Sequence, residues 1–137
     1  MDPSVWGKDL WRSLHRITYA YPDNPSSEDQ QNANIFFSTI GNLLPCEKCR
    51  LNYKKHLKKY PINDNVLANR DSLMNWLIDI HNETNKILGK PVINREQAKR
   101  LIEETESHSQ ILTIFIIFIV IIILVIILWY KQTYFMS

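Results

Sequence analysis

Residues 71–88 read DSLMNWLIDIHNETNKIL, and this segment sets the expectation for the fold. Its apolar side chains recur three or four positions apart, which is the spacing of one face of an α-helix. The stripe consists of Leu73, Leu77, Ile80, Thr84 and Ile87. Gly89 and Pro91 follow directly, and both residue types end helices. The pattern predicts a helix over residues 71–88 that packs one face against the rest of the chain.

Three further helices are predicted on the N-terminal side of this segment. The first covers residues 5–19 and stops at a turn-rich segment. The second begins at Ser27, which could form a capping box with Gln30. Its apolar stripe consists of Ala33, Phe36, Phe37, Ile40 and Leu44. The third begins just after Pro45, with two cysteines in its first turn, and ends near residues 60–61.

A short fifth helix is predicted after this set, capped by Asn94 with Gln97 three residues on. The chain has only 3 glycines and no run of alternating apolar and polar residues, so no strand is predicted. Short connections between helices of this length favour a bundle of antiparallel neighbours. The expected fold class is therefore all-α.

The C-terminal segment is predicted to cross a membrane as one helix. Every residue of 111–128 is apolar except Thr113. With the aromatic pair 129–130 added, a rise of about 1.5 Å per residue gives roughly the 30 Å of a bilayer core. The expected domains are a soluble domain at 1–108, a transmembrane helix at 109–130 and a short tail at 131–137.

The position of this span predicts a tail anchor, which would leave the soluble domain on the cytosolic side of the membrane. Residues 1–21 carry charges among their apolar residues and contain no uninterrupted apolar run typical of a signal peptide. The formal net charge is +2, without the excess of basic residues typical of nucleic-acid-binding proteins. Nucleic acid is therefore not an expected partner.

Both cysteines of the chain, Cys46 and Cys49, lie in one C-x-x-C sequence. At a helix N-terminus, unpaired backbone N–H groups and the helix dipole stabilise a thiolate, which suits thiol–disulfide exchange. Half of a zinc site and two inert thiols are the alternatives. Zinc would need two more ligands, and the 4 histidines show no H-x-x-x-H spacing. A thioredoxin fold would need strands around the motif, and the neighbouring sequence is helical in pattern.

An all-helical redox protein with two cysteines needs an electron acceptor that side chains cannot supply, so a cofactor is implied. Two clusters could hold it, each on one face of a predicted helix. The first consists of Gly7, Trp11 and His15, and the second consists of His81, Asn82 and Asn85. Ordinary core packing is the alternative for the first cluster. The members of the second could instead satisfy one another's hydrogen bonds.

Four motifs of the chain resemble those of the ALR/Erv sulfhydryl oxidases in order and spacing. They are WGKDLWRSLH at 6–15, YP at 21–22, PCEKC at 45–49 and HNETNKILGKP at 81–91. The resemblance covers residues 5–104 and is closest to the short forms encoded by large cytoplasmic DNA viruses. Separated motifs in the right order are much harder to obtain by chance than a single C-x-x-C.

The resemblance implies a four-helix bundle with a short fifth helix, FAD as cofactor, and a homodimer. It also implies a reaction that oxidises two protein thiols to a disulfide and passes the electrons through FAD to dioxygen, releasing hydrogen peroxide. Cys49 would lie against the flavin ring, and Cys46 would exchange with substrate thiols. The implied cofactor-binding positions are Gly7, Lys8, Trp11, His15, Cys49, His81, Asn82, Asn85, Lys86, Gly89 and Lys90, and no metal ligand is implied.

The chain departs from the family pattern in its cysteines, because it has neither the extra shuttle pair nor the bracing pair of other members. A small thioredoxin-like or C-x-x-C protein is therefore expected to deliver electrons directly at Cys46. Thr84 stands where the family commonly has valine, which adds a hydroxyl at similar shape.

Several exposed positions are also predicted. A cluster of four lysines is interpreted as a solvated helix face, with attraction of an acidic partner as the alternative. These lysines are Lys54, Lys55, Lys58 and Lys59. His56 and His108 are predicted to lie on the surface.

Two other functions are compatible with the sequence alone. One is a non-enzymatic, membrane-tethered helical interaction module with idle, reduced cysteines, and the other is a zinc-stabilised adaptor. An oxidase facing the cytosol would work against cellular reductants. A viral disulfide pathway at a virion or host assembly membrane would resolve this conflict.

Overall fold

The computed structural model describes the backbone of residues 1–135 and the side chains of residues 1–100 and 111–132. The helices are α1 Pro3–Tyr19, α2 Ser27–Thr39, α3 Glu47–Lys59, α4 Asp64–Leu67, α5 Arg70–Ile87 and α6 Arg95–Phe135, with a 3-10 turn Ile40–Leu43 before α3. No strand occurs among the described residues. The predicted all-α class is confirmed, and the chain divides into two compact units, Met1–Ile102 and Glu103–Ser137.

Helix α5 lies at the centre of the first unit, in contact with α1, α3 and α4. Its core-facing residues Leu73, Leu77 and Ile80 are fully buried, as the apolar stripe predicts. Phe37 of α2 is also fully buried and packs edge-to-face on Trp76, with ring centroids 5.3 Å apart. The helix is thus fixed from several sides, which gives the polar residues of its second half a defined orientation.

The buried aromatic side chains also connect separate segments through their polar atoms. The Tyr53 hydroxyl donates to the Phe37 carbonyl at 2.8 Å, and the Trp76 indole N–H donates to the Tyr60 carbonyl at 2.9 Å. The Tyr21 hydroxyl donates to the carbonyl of Leu67 at 3.0 Å. Because these donors are satisfied, the aromatic rings are buried without the penalty of an unpaired polar group.

Three predictions about the helices are wrong in detail. The fifth helix, predicted to be short, is the 41-residue α6. The capping box of α2 is formed by Ser26 and Asp29, so the predicted Ser27–Gln30 box is wrong by one residue. A carboxylate at the third helical position accepts both N-cap donors and interacts favourably with the helix dipole, which a glutamine does less well. The four-residue helix α4, capped by Asn63, was not predicted because so short an element has no measurable periodicity.

His56 is another correction, because it is 5% exposed and does not lie on the surface. It lies on the inner face of α3, three residues after the buried Tyr53. Its Nε2 lies 3.4 Å from the hydroxyl of Thr84 on α5, so the hydroxyl that departs from the family pattern has a partner. His108 lies outside the residues whose side chains the structure describes.

The close approach of the 3-10 turn to α3 depends on Gly41. A Cβ at this position would overlap the ring of Tyr53, whose Cε1 and Cγ atoms would lie 3.0 and 3.1 Å away. We expect Gly41→Ala to lower the free energy of unfolding by about 1–3 kcal/mol, because the buried ring must move. The control is Gly7→Ala, since a Cβ there meets nothing within 4 Å. Equal thermal midpoints for the two variants would contradict this packing.

The second unit contains the predicted membrane segment. Residues Ile111–Gln132 form a 22-residue stretch of helix that is long and apolar enough to span a bilayer, and none of it is buried. A helix that is apolar on all sides and has no buried face in the described structure has the composition of a transmembrane segment.

Candidate functional site

The two cysteines lie at the N-terminus of α3 and form a disulfide, with their Cα atoms 5.1 Å apart. Cys46 is the N-cap of the helix, and its sulfur accepts a hydrogen bond from the backbone N–H of Cys49 at 3.2 Å. Both residues are partly exposed. The predicted position at a helix start is confirmed, with Cys46 one position before the first turn. The backbone N–H groups can therefore stabilise a thiolate when the disulfide opens.

A second cluster joins α1 to α5 through three rings. His15 Nε2 lies 2.9 Å from His81 Nδ1, at hydrogen-bond distance. Trp11 stacks on His81, with ring centroids 4.1 Å apart and an interplanar angle of 5°. The two sequence clusters, predicted separately on two helices, thus meet at one place in the fold.

Both histidines of this cluster are held in the neutral form. Burial lowers the pKa of His15 to about 4. Burial also lowers the pKa of His81 to about 4, with smaller contributions from the positive charges of His15 and Lys90. In the neutral pair one ring nitrogen donates and the other accepts, so a single hydrogen bond can join them.

These lowered pKa values predict a pH dependence of stability. Histidine in the unfolded chain titrates near pH 6.5, so between about pH 6.5 and 4 the unfolded state binds more protons and stability falls as pH falls. We expect a loss of about 1 kcal/mol per pH unit after allowance for partial exposure. The measurement is the thermal midpoint between pH 7.5 and 5. Glu83, whose pKa is lowered to about 2 by Lys86 and Lys59, titrates below this window.

In the double variant His15→Gln, His81→Gln, the thermal midpoint should fall less between pH 7.5 and 5 than in the unchanged chain. His56, whose pKa burial also lowers, acts in the same direction and remains as a background in this variant. A midpoint that does not change between pH 7.5 and 5 would contradict the assignment of a neutral buried pair.

A cavity of about 160 Å³ adjoins the histidine pair. It is lined by His15, Ile78, His81, Asn82, Asn85, Ile93 and Ala98. Four of the predicted cofactor-binding residues therefore share one cavity, together with apolar side chains that no motif singled out. The cavity is smaller than a typical ligand site of 300–1,000 Å³ and matches one end of a large ligand.

Asn82 also determines the shape of this cavity. Its amide nitrogen donates to the Ile93 carbonyl at 2.7 Å, and its oxygen accepts from the Ile93 N–H at 3.1 Å. The Asn82 side chain thus forms two hydrogen bonds to the backbone of one residue in the segment after α5, as a neighbouring β-strand would. Sequence patterns alone could not show this contact, because it joins positions 11 residues apart through a loop.

We expect Asn82→Ala to weaken cofactor binding about tenfold and to lower unfolding free energy by about 1–3 kcal/mol, because both Ile93 groups lose their partner. The measurements are flavin content after titration with FAD and the thermal midpoint. Asn32→Ala, at an exposed position on α2, is the control. Unchanged flavin affinity in Asn82→Ala would show that the cavity wall does not depend on this residue.

Several of the remaining predicted positions do not line the cavity. Lys8 and Lys90 are exposed, and Lys90 is close enough to His81 to affect its pKa. Lys86 is exposed, and its Nζ lies 2.6 Å from Glu83. Gly89 follows α5 with a φ of 63°, a left-handed conformation that glycine adopts without strain.

Glu83 was not predicted, although it connects α3 to α5. Its carboxylate lies 3.0 Å from Lys59 Nζ and 2.6 Å from Lys86 Nζ, and it accepts from the Tyr60 hydroxyl at 3.3 Å. One member of the predicted solvated lysine face, Lys59, is therefore held in an ion pair. The helix that begins with the disulfide is thus linked to the helix that carries His81.

Several features of the site fit a bound dinucleotide. His15 Nδ1 is buried without a hydrogen-bond partner, and the space beside Gly7 is open within 4 Å of an added Cβ. The N-terminus of the chain lies beside the disulfide, since the Met1 amino group contacts the Pro45 carbonyl at 3.3 Å. From there, α1 runs roughly 20 Å to His15. A ligand with two separated ring systems can contact both ends of that path.

A zinc site would need further ligands beside the two cysteines, and the part of the chain that the structure describes brings none together with them. No group of three or more His, Cys, Asp or Glu side chains converges there. The two sulfurs are bonded to each other instead.

Comparisons with known proteins agree with the motifs and the fold. A model of the Erv1 / Alr family matches residues 8–105. A probable FAD-linked sulfhydryl oxidase of Acanthamoeba polyphaga mimivirus is 43% identical over 105 residues, which cover 77% of this chain and 73% of that protein. A putative FAD-linked sulfhydryl oxidase of Invertebrate iridescent virus 6 is 30% identical, covering 73% of this chain and 94% of the relative.

The chain covers a smaller part of a cellular relative. It is 33% identical to the FAD-linked sulfhydryl oxidase ERV1 of Oryza sativa subsp. japonica, covering 63% of this chain and 43% of that protein. Among solved structures, the FAD binding domain of Erv1 from Saccharomyces cerevisiae has a TM-score of 0.69 at 24% identity, over 76% of this chain and 96% of that one. This likeness concerns the fold. With a family model matched over residues 8–105, the chain belongs to the Erv1 / Alr family.

Proposed function

We propose that this chain is an FAD-linked sulfhydryl oxidase that forms disulfide bonds in proteins. The observation that carries the proposal is the C-x-x-C disulfide at the start of α3, in the same compact unit as the cavity lined by His15 and His81. Two relatives of similar length are named as a probable and a putative FAD-linked sulfhydryl oxidase.

FAD would be held by residues of α1, α5 and the segment that follows α5. They are Gly7, Lys8, Trp11, His15, His81, Asn82, Asn85, Lys86, Gly89 and Lys90, with Cys49 beside the flavin. When bound, FAD takes up the electron pair released by two thiols and passes it to dioxygen, which becomes hydrogen peroxide. The neutral His15–His81 pair adds no positive charge inside the cavity, whereas the exposed Lys90, near His81, favours an anionic phosphate group.

The cysteines carry out the exchange with the protein substrate. A substrate thiolate attacks the Cys46 sulfur, the Cys46–Cys49 bond breaks, and Cys49 leaves as a thiolate. The second substrate thiolate then attacks the substrate sulfur bonded to Cys46, forming the substrate disulfide and releasing Cys46. The hydrogen bond from the Cys49 N–H and the helix dipole stabilise the Cys46 thiolate as a leaving group.

The donor is a small thioredoxin-like or C-x-x-C protein, because this chain contains only 2 cysteines and hence no shuttle pair of its own. Dioxygen is the final acceptor. The active form is a homodimer, as the family resemblance implies. Light scattering of the purified chain tests the dimer, and a monomer at micromolar concentration with full activity would contradict it.

The apolar helix at Ile111–Gln132 anchors the protein in a membrane, with the oxidase domain on the cytosolic side of a virion or host assembly membrane. The orientation is tested by adding protease to sealed membranes that carry the full chain. Digestion of the domain without detergent supports the proposed orientation. Protection until detergent is added would contradict it.

The oxidase function itself is tested with the purified full chain in detergent. Dithiothreitol is added, and oxygen uptake, peroxide and remaining thiols are measured together. We expect one dioxygen consumed and one peroxide formed for each disulfide made. A folded chain that leaves the thiols unchanged would support the alternative of a non-enzymatic membrane-tethered module.

A further inference from the structure

The outer face of α3 carries a continuous basic and apolar surface beside the disulfide. Leu51, Lys54, Lys55 and Lys58 follow the spacing that places side chains on one side of a helix, and Lys48 continues this surface toward the disulfide. All five are exposed, whereas Tyr53 and His56 lie on the opposite, buried side. We call this set the outer face of α3.

The lysines of the outer face have no ion-pair partner among residues 1–100 and 111–132. In the described part of the structure, the ion pairs of α3 involve Lys59 and not Lys48, Lys54, Lys55 or Lys58. Glu47 is the one acidic residue in α3. The face therefore presents a positive potential that an acidic partner could neutralise.

Apolar side chains lie where this surface meets the disulfide. Leu43, in the 3-10 turn before α3, is 83% exposed, and Leu51 is 55% exposed. Exposed apolar residues are common singly, but these two bracket the C-x-x-C in sequence, with Leu43 three residues before Cys46 and Leu51 two residues after Cys49. A protein whose thiols reach Cys46 must cover this region.

We propose that the outer face of α3 docks an acidic segment next to the C-x-x-C of the protein substrate. This inference rests on the proposed oxidase function and adds the chemistry of its substrate. Carboxylates of the partner pair with Lys54, Lys55 and Lys58, while an apolar residue near its thiols contacts Leu43 and Leu51. The lysines increase the rate of encounter, and the leucines exclude water beside the exchanging sulfurs.

The test compares two synthetic dithiol peptides as substrates of the full chain in detergent. Each contains one C-x-x-C, flanked by glutamates in one peptide and by lysines in the other. At low salt we expect the KM of the acidic peptide to be about tenfold lower than that of the basic one. The difference should shrink as salt shortens the screening length to a few ångströms near 1 M. Equal KM values at low salt would overturn the proposal.

The triple variant Lys54→Glu, Lys55→Glu and Lys58→Glu should reverse this preference. A control that reverses one charge outside the face, Arg100→Glu on α6, should preserve the preference for the acidic peptide. Oxidation of dithiothreitol requires no docking, so it distinguishes a failure of the oxidase function from a failure of the docking proposal. If the wild-type chain does not oxidise dithiothreitol, the oxidase function fails. If it does but does not distinguish the peptides, only the docking proposal fails.

An anionic membrane surface is the competing ligand for these lysines. Full-length protein in phosphatidylcholine nanodiscs is tested for binding to separate vesicles with and without phosphatidylserine. Binding that requires phosphatidylserine and is lost in the triple variant, combined with equal use of the two peptides, would assign the face to lipid and overturn the proposal.

Discussion

Replacing Cys49 with serine is expected to abolish oxidase turnover, by a factor of ~10³ or more. The remaining Cys46 cannot form the internal disulfide, so the electron pair of the substrate has no route out of the active site. The measurement is oxygen uptake with dithiothreitol and with a C-x-x-C peptide. Both cysteines are partly exposed and neither is a buried core residue. We therefore expect the variant to fold and to retain its cofactor.

The Cys46→Ser and Cys49→Ser variants should also accumulate different amounts of mixed disulfide with substrate. With a peptide whose single cysteine is activated as a mixed disulfide with a small thiol, the Cys46 thiolate of Cys49→Ser should displace that small thiol and stay bonded to the peptide. Mass spectrometry should then show the sum of both masses less that of the released thiol. Cys46→Ser should form far less, because its remaining thiol is not the one that meets substrate. Equal trapping by the two variants would contradict the assigned roles.

Replacing His81 with alanine is expected to lower FAD affinity by a factor of ~10² or more. The change removes the ring that stacks on Trp11 and the hydrogen-bond partner of His15, and it leaves His15 buried with neither ring nitrogen paired in the described structure. The measurement is the flavin-to-protein ratio after purification, followed by titration of the apoprotein with FAD.

The matched control is His56→Ala, which removes a buried histidine that contacts α5 at Thr84 and does not line the cavity. It should reduce stability while its FAD affinity stays close to that of the unchanged chain. Equal loss of FAD from both variants would show that the effect reports general destabilisation, and the assignment of His81 to the cofactor site would then be wrong.

Much of this arrangement could be predicted from the sequence because its signals are local. The stripe of α5 and the 22-residue apolar segment depend on neighbours within a few positions. The stripe is wrong at its last position, because Ile87 is 49% exposed.

The contacts that assemble the site could not be predicted in the same way. The His15–His81 pair spans 66 positions, and its distance follows from how α1 packs on α5. The burial of His56 depends on which face of α3 turns inward, and its polar pattern resembles that of an exposed lysine-rich face. Asn82 was expected to contact a ligand, yet its amide also binds the Ile93 backbone. Polar residues on a core-facing stripe therefore predict a site without specifying each partner.

Electron exchange between the disulfide on α3 and a bound flavin is tested by the visible spectrum of the purified full chain. We expect a yellow protein whose flavin band bleaches when dithiothreitol is added without oxygen, and which recovers its colour in air with one peroxide formed for each dithiothreitol oxidised. In Cys49→Ser the band should be present but should not bleach at the same rate. A folded chain that binds no flavin, or a flavin band unaffected by the dithiol, would contradict electron exchange between the disulfide and FAD.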